Sequence, residues 1–361
     1  MMTDDSGVTP GPIVFLGSGE TGKVGGQVFE ALAQRLEKPL RVDVLETPAG
    51  FELNSAQVAG RVAEFVGARL QNYPNEVAVI AARGKNSDFS PDNPALLQPM
   101  LSGNLFFMGP GSPTYAVKHL SGSLAWHILL ARHRLGAGLV LASAAAIAAG
   151  AWALPVYEIY KVGEDPCWRP GLDLLAPFGL SLVVVSHWDN TDGGAELDTS
   201  RCFVGKARFE KLQAQLPADV IAVGLDEHTA LWMDLEKQSC QVLGKGFVHV
   251  IRGGYERQYQ NGDHFLMREL GGMQMPPGAA SGIPAEVWQM VLEKRVVEPE
   301  KKPEMKKETP REVRLLAEQR QKARVRLQWS EADALRDQIA ALGWQVIDTP
   351  AGPELIPALK R

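Results

Sequence analysis

The sequence carries one serine set up for covalent chemistry. The run Leu139-Val-Leu-Ala-Ser143-Ala-Ala-Ala-Ile takes an apolar strand straight into a hydroxyl that only small residues follow. A nucleophile held on a sharp strand-to-helix bend needs small neighbours, and its successor's N–H, here from Ala144, then points at the reacting oxygen. The same residues also read as an Ala-rich buried helix with a satisfied serine. A second run, Val183-Val-Val-Ser-His187-Trp-Asp189-Asn190, ends an apolar strand on an imidazole. Sites in open α/β sheets lie beyond the carboxyl ends of strands, so His187 stands where a general base belongs. A lone histidine is otherwise a structural residue. Phe107-Met-Gly109-Pro110-Gly111-Ser112 is a small-residue turn after a strand. Its N–H groups suit an oxyanion; Pro110 has none, which leaves Gly109, Gly111 and Ser112.

Two further motifs carry weaker chemistry. Gly17-Ser-Gly19-Glu-Thr-Gly22-Lys23 has the G-x-x-x-x-G-K spacing of a phosphate loop, but Val24 stands where a hydroxyl would hold Mg²⁺. It is read as a Gly-rich turn, with nucleotide binding as a third functional reading. Asp226-Glu227-His228 could suggest a metal, yet adjacent residues do not share a face, so it reads as a turn bracing the site. The acidic stretch from Asp189 to Asp198 matches no calcium-loop spacing and reads as a mobile loop near His187. No metal or other cofactor is expected.

The elements that must position these groups are legible. Short apolar runs at 13–16, 40–45, 77–81, 105–108, 138–142 and 180–185 alternate with helical patterns such as Val28, Phe29, Leu32 and Leu36. Continuous rather than alternating apolar runs predict strands buried on both faces of a mainly parallel sheet. Strands separated by helices predict an α/β fold. Residues 220–224 and 241–250 read as later strands, ending in a hairpin at Gly244-Lys245-Gly246. The uncharged stretch from Ala137 to Val156 has the length of a membrane span, but its Ala/Gly content fits a buried strand–turn–helix better.

Composition bounds the rest. The chain has 361 residues, 45% hydrophobic and 22% charged, with a formal net charge of −5, which excludes wholesale disorder and a strongly basic nucleic-acid binder. Three separated cysteines, Cys167, Cys202 and Cys240, make neither a disulfide framework nor a zinc ribbon, and a reducing cytoplasm is expected. The polar, acidic N-terminus lacks the pattern of a signal peptide. Residues 256–310 are read as a Gly/Pro-rich segment and charged linker; 298–312 hold five acidic and five basic residues. Beyond it, 311–361 is read as a helical hairpin. Its basic first helix precedes a capped start at Ser330-Glu-Ala-Asp333 and an apolar stripe of Ala332, Leu335, Ile339 and Leu342, stopped by Gly343.

The order LGSGE (16–20), FMGPGS (107–112), ASAAA (142–146), SHWDN (186–190), Arg201, GLDEHTAL (224–231) and VLGKGFVHV (242–250) resembles the dipeptidase E/cyanophycinase family of serine peptidases. The resemblance covers roughly residues 12–252 and implies the class I glutamine amidotransferase-like fold. That is a flavodoxin-like, doubly wound, mainly parallel sheet with a β-hairpin extension, over 1–255, with the helical appendage added. It implies a nucleophile at Ser143, a base at His187 and an acidic third member at Glu158. The oxyanion would be held at Gly109, Gly111 and Ala144, and substrate contacts made by Ser112, Asp189, Asn190 and Arg201. Leu141 and Ala145 replace the two glycines of the family's elbow. With no cysteine at the elbow, glutamine hydrolysis by a thiolate is excluded.

Residues from Glu318 to Gly352, with Trp329 and Gly343, resemble the extreme C-terminus of cysteinyl-tRNA synthetases, without any synthetase active site. The implied partners are a small peptide or amide substrate, a second copy in a homodimer, and a tRNA, other RNA or protein held through 311–361. No membrane contact is expected. The leading expectation is a serine-type amide hydrolase. Its rival is an inactive member of the fold serving as a binding or scaffold module, which the altered elbow favours.

Overall fold

The computed structural model describes residues 9–297, 310–326, 328–349 and 352–357. Contact clustering divides the chain into two units, Met1–Arg295 and Val296–Arg361.

In the first unit the alternation of strand and helix is regular. Strand β1 (Ile13–Leu16) leads to helix α1 (Lys23–Arg35), β2 (Leu40–Leu45), α2 (Ser55–Arg69), β3 (Asn75–Ile80) and β4 (Leu105–Met108). Helices α3 (Pro113–Leu120) and α4 (Leu124–Arg134) precede β5 (Gly138–Ala142) and the short α5 (Ala144–Ala148). These are followed by β6 (Trp152–Ala153), β7 (Arg169–Pro170), β8 (Leu182–Val185), α6 (Lys206–Gln213), β9 (Ile221–Leu225), β10 (Thr229–Asp234) and β11 (Ser239–Gly244). Then come β12 (Phe247–Arg252), β13 (Tyr255–Gln260), β14 (His264–Leu266) and α7 (Ala285–Val297), whose last residues cross the unit boundary.

Eight strands form the central sheet in the order β14-β11-β10-β1-β5-β4-β2-β3. The five strands from β1 to β3 are mutually parallel, and β10, β11 and β14 extend the sheet antiparallel. Side chains alternate across a strand. Ile13, Phe15, Phe106, Leu139 and Leu141 therefore enter one core, while Val14, Leu16, Phe107, Val140 and Ala142 enter the other. The first is covered by α4 and, in part, by Trp288 and Val291 of α7; the second by α1 and α2. That two-sided burial is why the strands read as continuous apolar runs. Phe106 is fully buried, and truncating it to alanine is expected to cost about 3–5 kcal/mol. The architecture is the expected mixed α/β fold with a large, mainly parallel sheet.

Three expectations are corrected. The strands 182–185 and 221–225 leave the central sheet and form a second one, β13-β12-β9-β8. Gly244-Lys245-Gly246 is not a hairpin turn: β11 pairs with β10, β12 pairs with β9, and the segment carries the chain from one sheet to the other. The hairpins are β10–β11 and β12–β13. Nor does the main domain end at 255, because Phe265, Met267, Leu270, Ile283, Trp288 and Val291 are buried in the main core. The stretch 137–156 is strand, bend and short helix as expected, and among the described residues no helix is long and apolar enough to cross a membrane. The linker residues 298–309 and the N-terminal residues 1–8 lie outside the described residues.

The second unit holds α8 (Arg311–Val325), α9 (Trp329–Ala341) and a hairpin of β15 (Trp344–Thr349) and β16 (Gly352–Pro357). The hairpin corrects the purely helical reading. Trp344 is buried with Val313, Ala317 and Ile339, so the hairpin supplies apolar surface that two short helices lack. Ser330 lies inside α9 rather than capping it, while Gly343, at φ 78°, ends it as expected.

Candidate active site

Ser143 links β5 to α5 at φ 52° and ψ −116°, a conformation that costs an L residue energy and persists only where surroundings impose it. Here the surroundings do. The Ser143 N–H donates to the Leu16 carbonyl at 3.0 Å, and the Ser186 hydroxyl donates to the Ser143 carbonyl at 3.0 Å. Ala142, Ala144 and Ala145 are all buried, so the small side chains fill the bend without clash. Leu141 is an ordinary core residue of β5. Alanine at 145 and leucine at 141 therefore both fit this bend.

His187 follows β8, also at positive φ (50°), and its carbonyl accepts from the Asn190 and Cys202 N–H groups. Its Nε2 lies 2.9 Å from Ser143 Oγ. Its Nδ1 lies 2.9 Å from Glu227 Oε1. A carboxylate only accepts, so Nδ1–H donates to Glu227 and Nε2 is left to accept from the serine hydroxyl. Asn190 Nδ2 donates to the same Glu227 oxygen at 3.1 Å, and the Glu227 N–H donates to Asp189 Oδ1 at 2.7 Å. Partial burial pushes the Glu227 carboxyl up, but the hydrogen bonds from His187 and Asn190 and the neighbouring histidine charges outweigh it and hold it below the usual range.

The expected orienting role of Glu158 is corrected. Its Oε1 accepts from the Thr114 hydroxyl at 2.7 Å, and it lines a separate cavity of about 780 Å³. The group on His187 is Glu227, from the β9–β10 turn that the sequence marked only as a brace. Asp189 and Asn190, expected to touch substrate, clamp Glu227 instead. Arg201 lays its guanidinium 4.0 Å from the Trp188 ring centre and donates to the Trp188 carbonyl. Ser112 caps α3, its hydroxyl accepting from the Tyr115 N–H and its own N–H donating to the Pro48 carbonyl. None of Ser112, Asp189, Asn190 and Arg201 lines the cavity at Ser143.

That cavity, about 470 Å³, is bounded by Ser143, His187, Ala144 and Gly111 among others. Ala144 opens α5, where the first N–H groups have no partner within the helix. Gly109 presents its carbonyl, not a donor, to the bend, accepting from the Ala145 N–H at 3.3 Å, and it does not line this cavity. The oxyanion donors available at the cavity are thus narrowed to Ala144 and Gly111. Gly111, at φ 143°, has the Pro48 carbonyl 2.0 Å from where a Cβ would stand, so only glycine fits.

The Gly17–Lys23 turn packs against the turn that bears Glu227. Gly22 and Gly25 N–H groups donate to the Gly19 carbonyl, and Ser18 Oγ accepts from the His228 N–H. A Cβ on Gly19 would meet the His228 ring at 2.4 Å, so the glycine lets the turn bearing Glu227 approach. Among the described residues no group of His, Cys, Asp and Glu could hold a metal ion.

No family model matches the chain. In structure the chain is similar to a peptidase from an acI-B1 Actinobacterium, with a TM-score of 0.57 and 19% identity over 72% of this chain and 98% of that one. That likeness shows the fold. In sequence, 48 residues are 46% identical to the cysteine–tRNA ligase of Chlamydia caviae, and 41 residues are 54% identical to that of Streptomyces griseus. The matches cover 13% and 11% of this chain, which spans about a tenth of the length of those relatives.

Proposed function

We propose that the chain is a serine hydrolase of short peptides or related amides. The observation carrying this is the line of three groups, Ser143 Oγ to His187 Nε2 at 2.9 Å and His187 Nδ1 to Glu227 Oε1 at 2.9 Å, at the wall of a cavity. Ser143 Oγ attacks the amide carbon while His187 Nε2 takes its proton. The N–H groups of Ala144 and Gly111 receive the oxyanion. His187 returns the proton to the leaving amine, then activates a water that frees the acyl group and restores the serine. Glu227 fixes the ring tautomer and stabilises the imidazolium. A fluorophosphonate probe tests the reading. Wild-type protein labels and Ser143→Ala does not; a folded wild type that fails to label overturns it in favour of an inactive binding module.

A second reading concerns the smaller unit. The short identity with cysteine–tRNA ligases, together with the basic residues of α8, supports RNA contact through residues 311–361. Titration of the full chain with tRNA, followed by anisotropy at two salt concentrations, tests it. Saturable, salt-sensitive binding supports RNA contact and its absence ends that reading, leaving the hydrolase untouched.

A further inference from the structure

The walls around Ser143 carry a message about what sits beside the scissile bond. Two charged side chains line the cavity, Lys161 and Asp192, and both are exposed at its mouth. Inside, Ile147 and Val156 are buried, and the half-buried Tyr160 and Phe203 offer aromatic faces, with Tyr157 exposed beside them. Tyr160 and Phe203 stack obliquely, 5.5 Å between ring centres, and Phe203 stands 6.1 Å from the His187 ring.

This wall is built at a cost. Arg201, Cys202 and Phe203 have φ of 58°, 59° and 68°, three successive L residues in the left-handed region that sterics disfavour. Their N–H groups hold them there, donating to the carbonyls of Trp188, His187 and Thr199 in turn. Phe203 is thus suspended from the same backbone that presents the base. Arg201, expected among the substrate contacts, does not line the cavity and is half-buried against Trp188. Away from Lys161 and Asp192, the buried Ile147 and Val156 and the Tyr160–Phe203 pair offer a carboxylate or guanidinium no charged partner, a loss that an aromatic or branched aliphatic group does not suffer.

We propose that the cavity is a specificity pocket for an apolar side chain on the acyl side of the scissile bond, with Phe203 and Tyr160 as its selecting walls. The proposal rests on the hydrolase reading above. Lys161, its ammonium 4.6 Å from the Tyr160 ring centre, and the exposed Asp192 are the groups left to face the termini of a short peptide whose side chain fills the interior.

The test measures kcat/KM on the p-nitroanilides of Phe, Leu, Asp and Arg with free amino groups. The Phe and Leu compounds should exceed the Asp and Arg compounds by about tenfold or more, the scale of discrimination that apolar pockets reach. Phe203→Ala should compress the Phe-to-Asp ratio by about tenfold, and Phe203→Leu should restore most of it. A wild type that labels with fluorophosphonate yet prefers the Asp or Arg compound, or hydrolyses none of the four, overturns the pocket assignment. So does a ratio unmoved by Phe203→Ala. Failure of the wild type to label removes the hydrolase reading itself, and the proposal with it, through a separate readout.

Discussion

Two histidines of this molecule bond through both ring nitrogens, and only one is arranged for chemistry. His187 has a serine hydroxyl at Nε2, a carboxylate at Nδ1 and a side chain 20% exposed beside a cavity. His249, on β12, has carboxylates on both sides, Asp226 at 3.0 Å from Nε2 and Glu256 at 2.7 Å from Nδ1, and is 8% exposed. With a carboxylate at each nitrogen, this ring has none left for a hydroxyl partner. The clusters touch through neighbours: Asp226 precedes Glu227, and Trp188, which follows His187, packs 5.2 Å from the His249 ring. A Cβ on Gly224 would stand 2.4 Å from Trp188, so the fit there is close. The difference between base and brace is thus the partner on one nitrogen and the access to a cavity, since both rings have a carboxylate.

The largest effect is expected where the comparison is most direct. Glu227→Gln keeps the shape but removes the acceptor that fixes the His187 tautomer. Loss of such a group in known triads lowers kcat by roughly 10⁴. Glu158→Gln, at the other carboxylate proposed from the sequence, should change kcat by less than about tenfold, since its oxygen bonds Thr114 and not the histidine. Steady-state hydrolysis of one apolar substrate by both variants measures this. Equal losses would break the distinction between the two positions.

Why the sequence pointed to Glu158 and not Glu227 is a matter of separation. Ser143 and His187 announce themselves locally, as a hydroxyl among alanines and as an imidazole at the end of Val183-Val-Val. Their strands read from apolar runs because each buries both faces. Glu227 stands out locally only as part of the Asp226-Glu227-His228 turn, which reads as a brace. It reaches the ring because β9 lies parallel to β8, with Gly224 opposite Val185, which brings the two strand ends together. Pairing of distant strands is not written in periodicity. The same reason hides the transfer of 244–246 between sheets and the docking of α7 on the main core. Asp189 and Asn190 were legible as polar residues near the base, but their partner was not, so they were assigned to substrate.

Next in size is the brace. His249→Ala leaves the Asp226 carboxylate, 7% exposed, without its partner, although the Phe247 N–H still donates to its other oxygen. Breaking a buried pair on one side typically costs about 3–5 kcal/mol. Urea unfolding should show that loss, while fluorophosphonate labelling of the folded fraction falls by less than about tenfold. A large loss of labelling at unchanged stability would give His249 a direct part in the chemistry and dissolve the contrast with His187.

Asn190 sharpens the boundary between the clusters, because it neither bonds the serine nor lines the cavity: its Nδ2 donates to Glu227, and its Oδ1 accepts from the Asp192 N–H. A hydrogen bond to a charged group contributes about 1.5–3 kcal/mol. Asn190→Ala should therefore lower kcat by about tenfold with little change in KM, and Asn190→Gln should recover part of it. A change confined to KM would return Asn190 to substrate binding.

The smallest effect is on acid stability, and there the two clusters should behave alike. Burial pushes Glu256 up, but hydrogen bonds from Gln258 and His249 outweigh it, so its carboxyl, like that of Glu227, is held below the ordinary value of 4.5. A depressed folded value means the unfolded chain binds the proton first as pH falls. The stabilisation is present above the unfolded value and is lost as pH drops through the folded one. Each side chain is about a third exposed (34% for Glu227, 38% for Glu256), and screening by water limits each contribution to roughly 1 kcal/mol or less. Unfolding free energies measured from pH 6 down to pH 3 should fall less steeply in Glu256→Gln than in wild type, and Glu227→Gln should flatten the slope to a similar degree. If Glu227→Gln flattens it and Glu256→Gln does not, the brace is held by Asp226 alone, and the symmetry between the two carboxylate–histidine pairs stops at the ring.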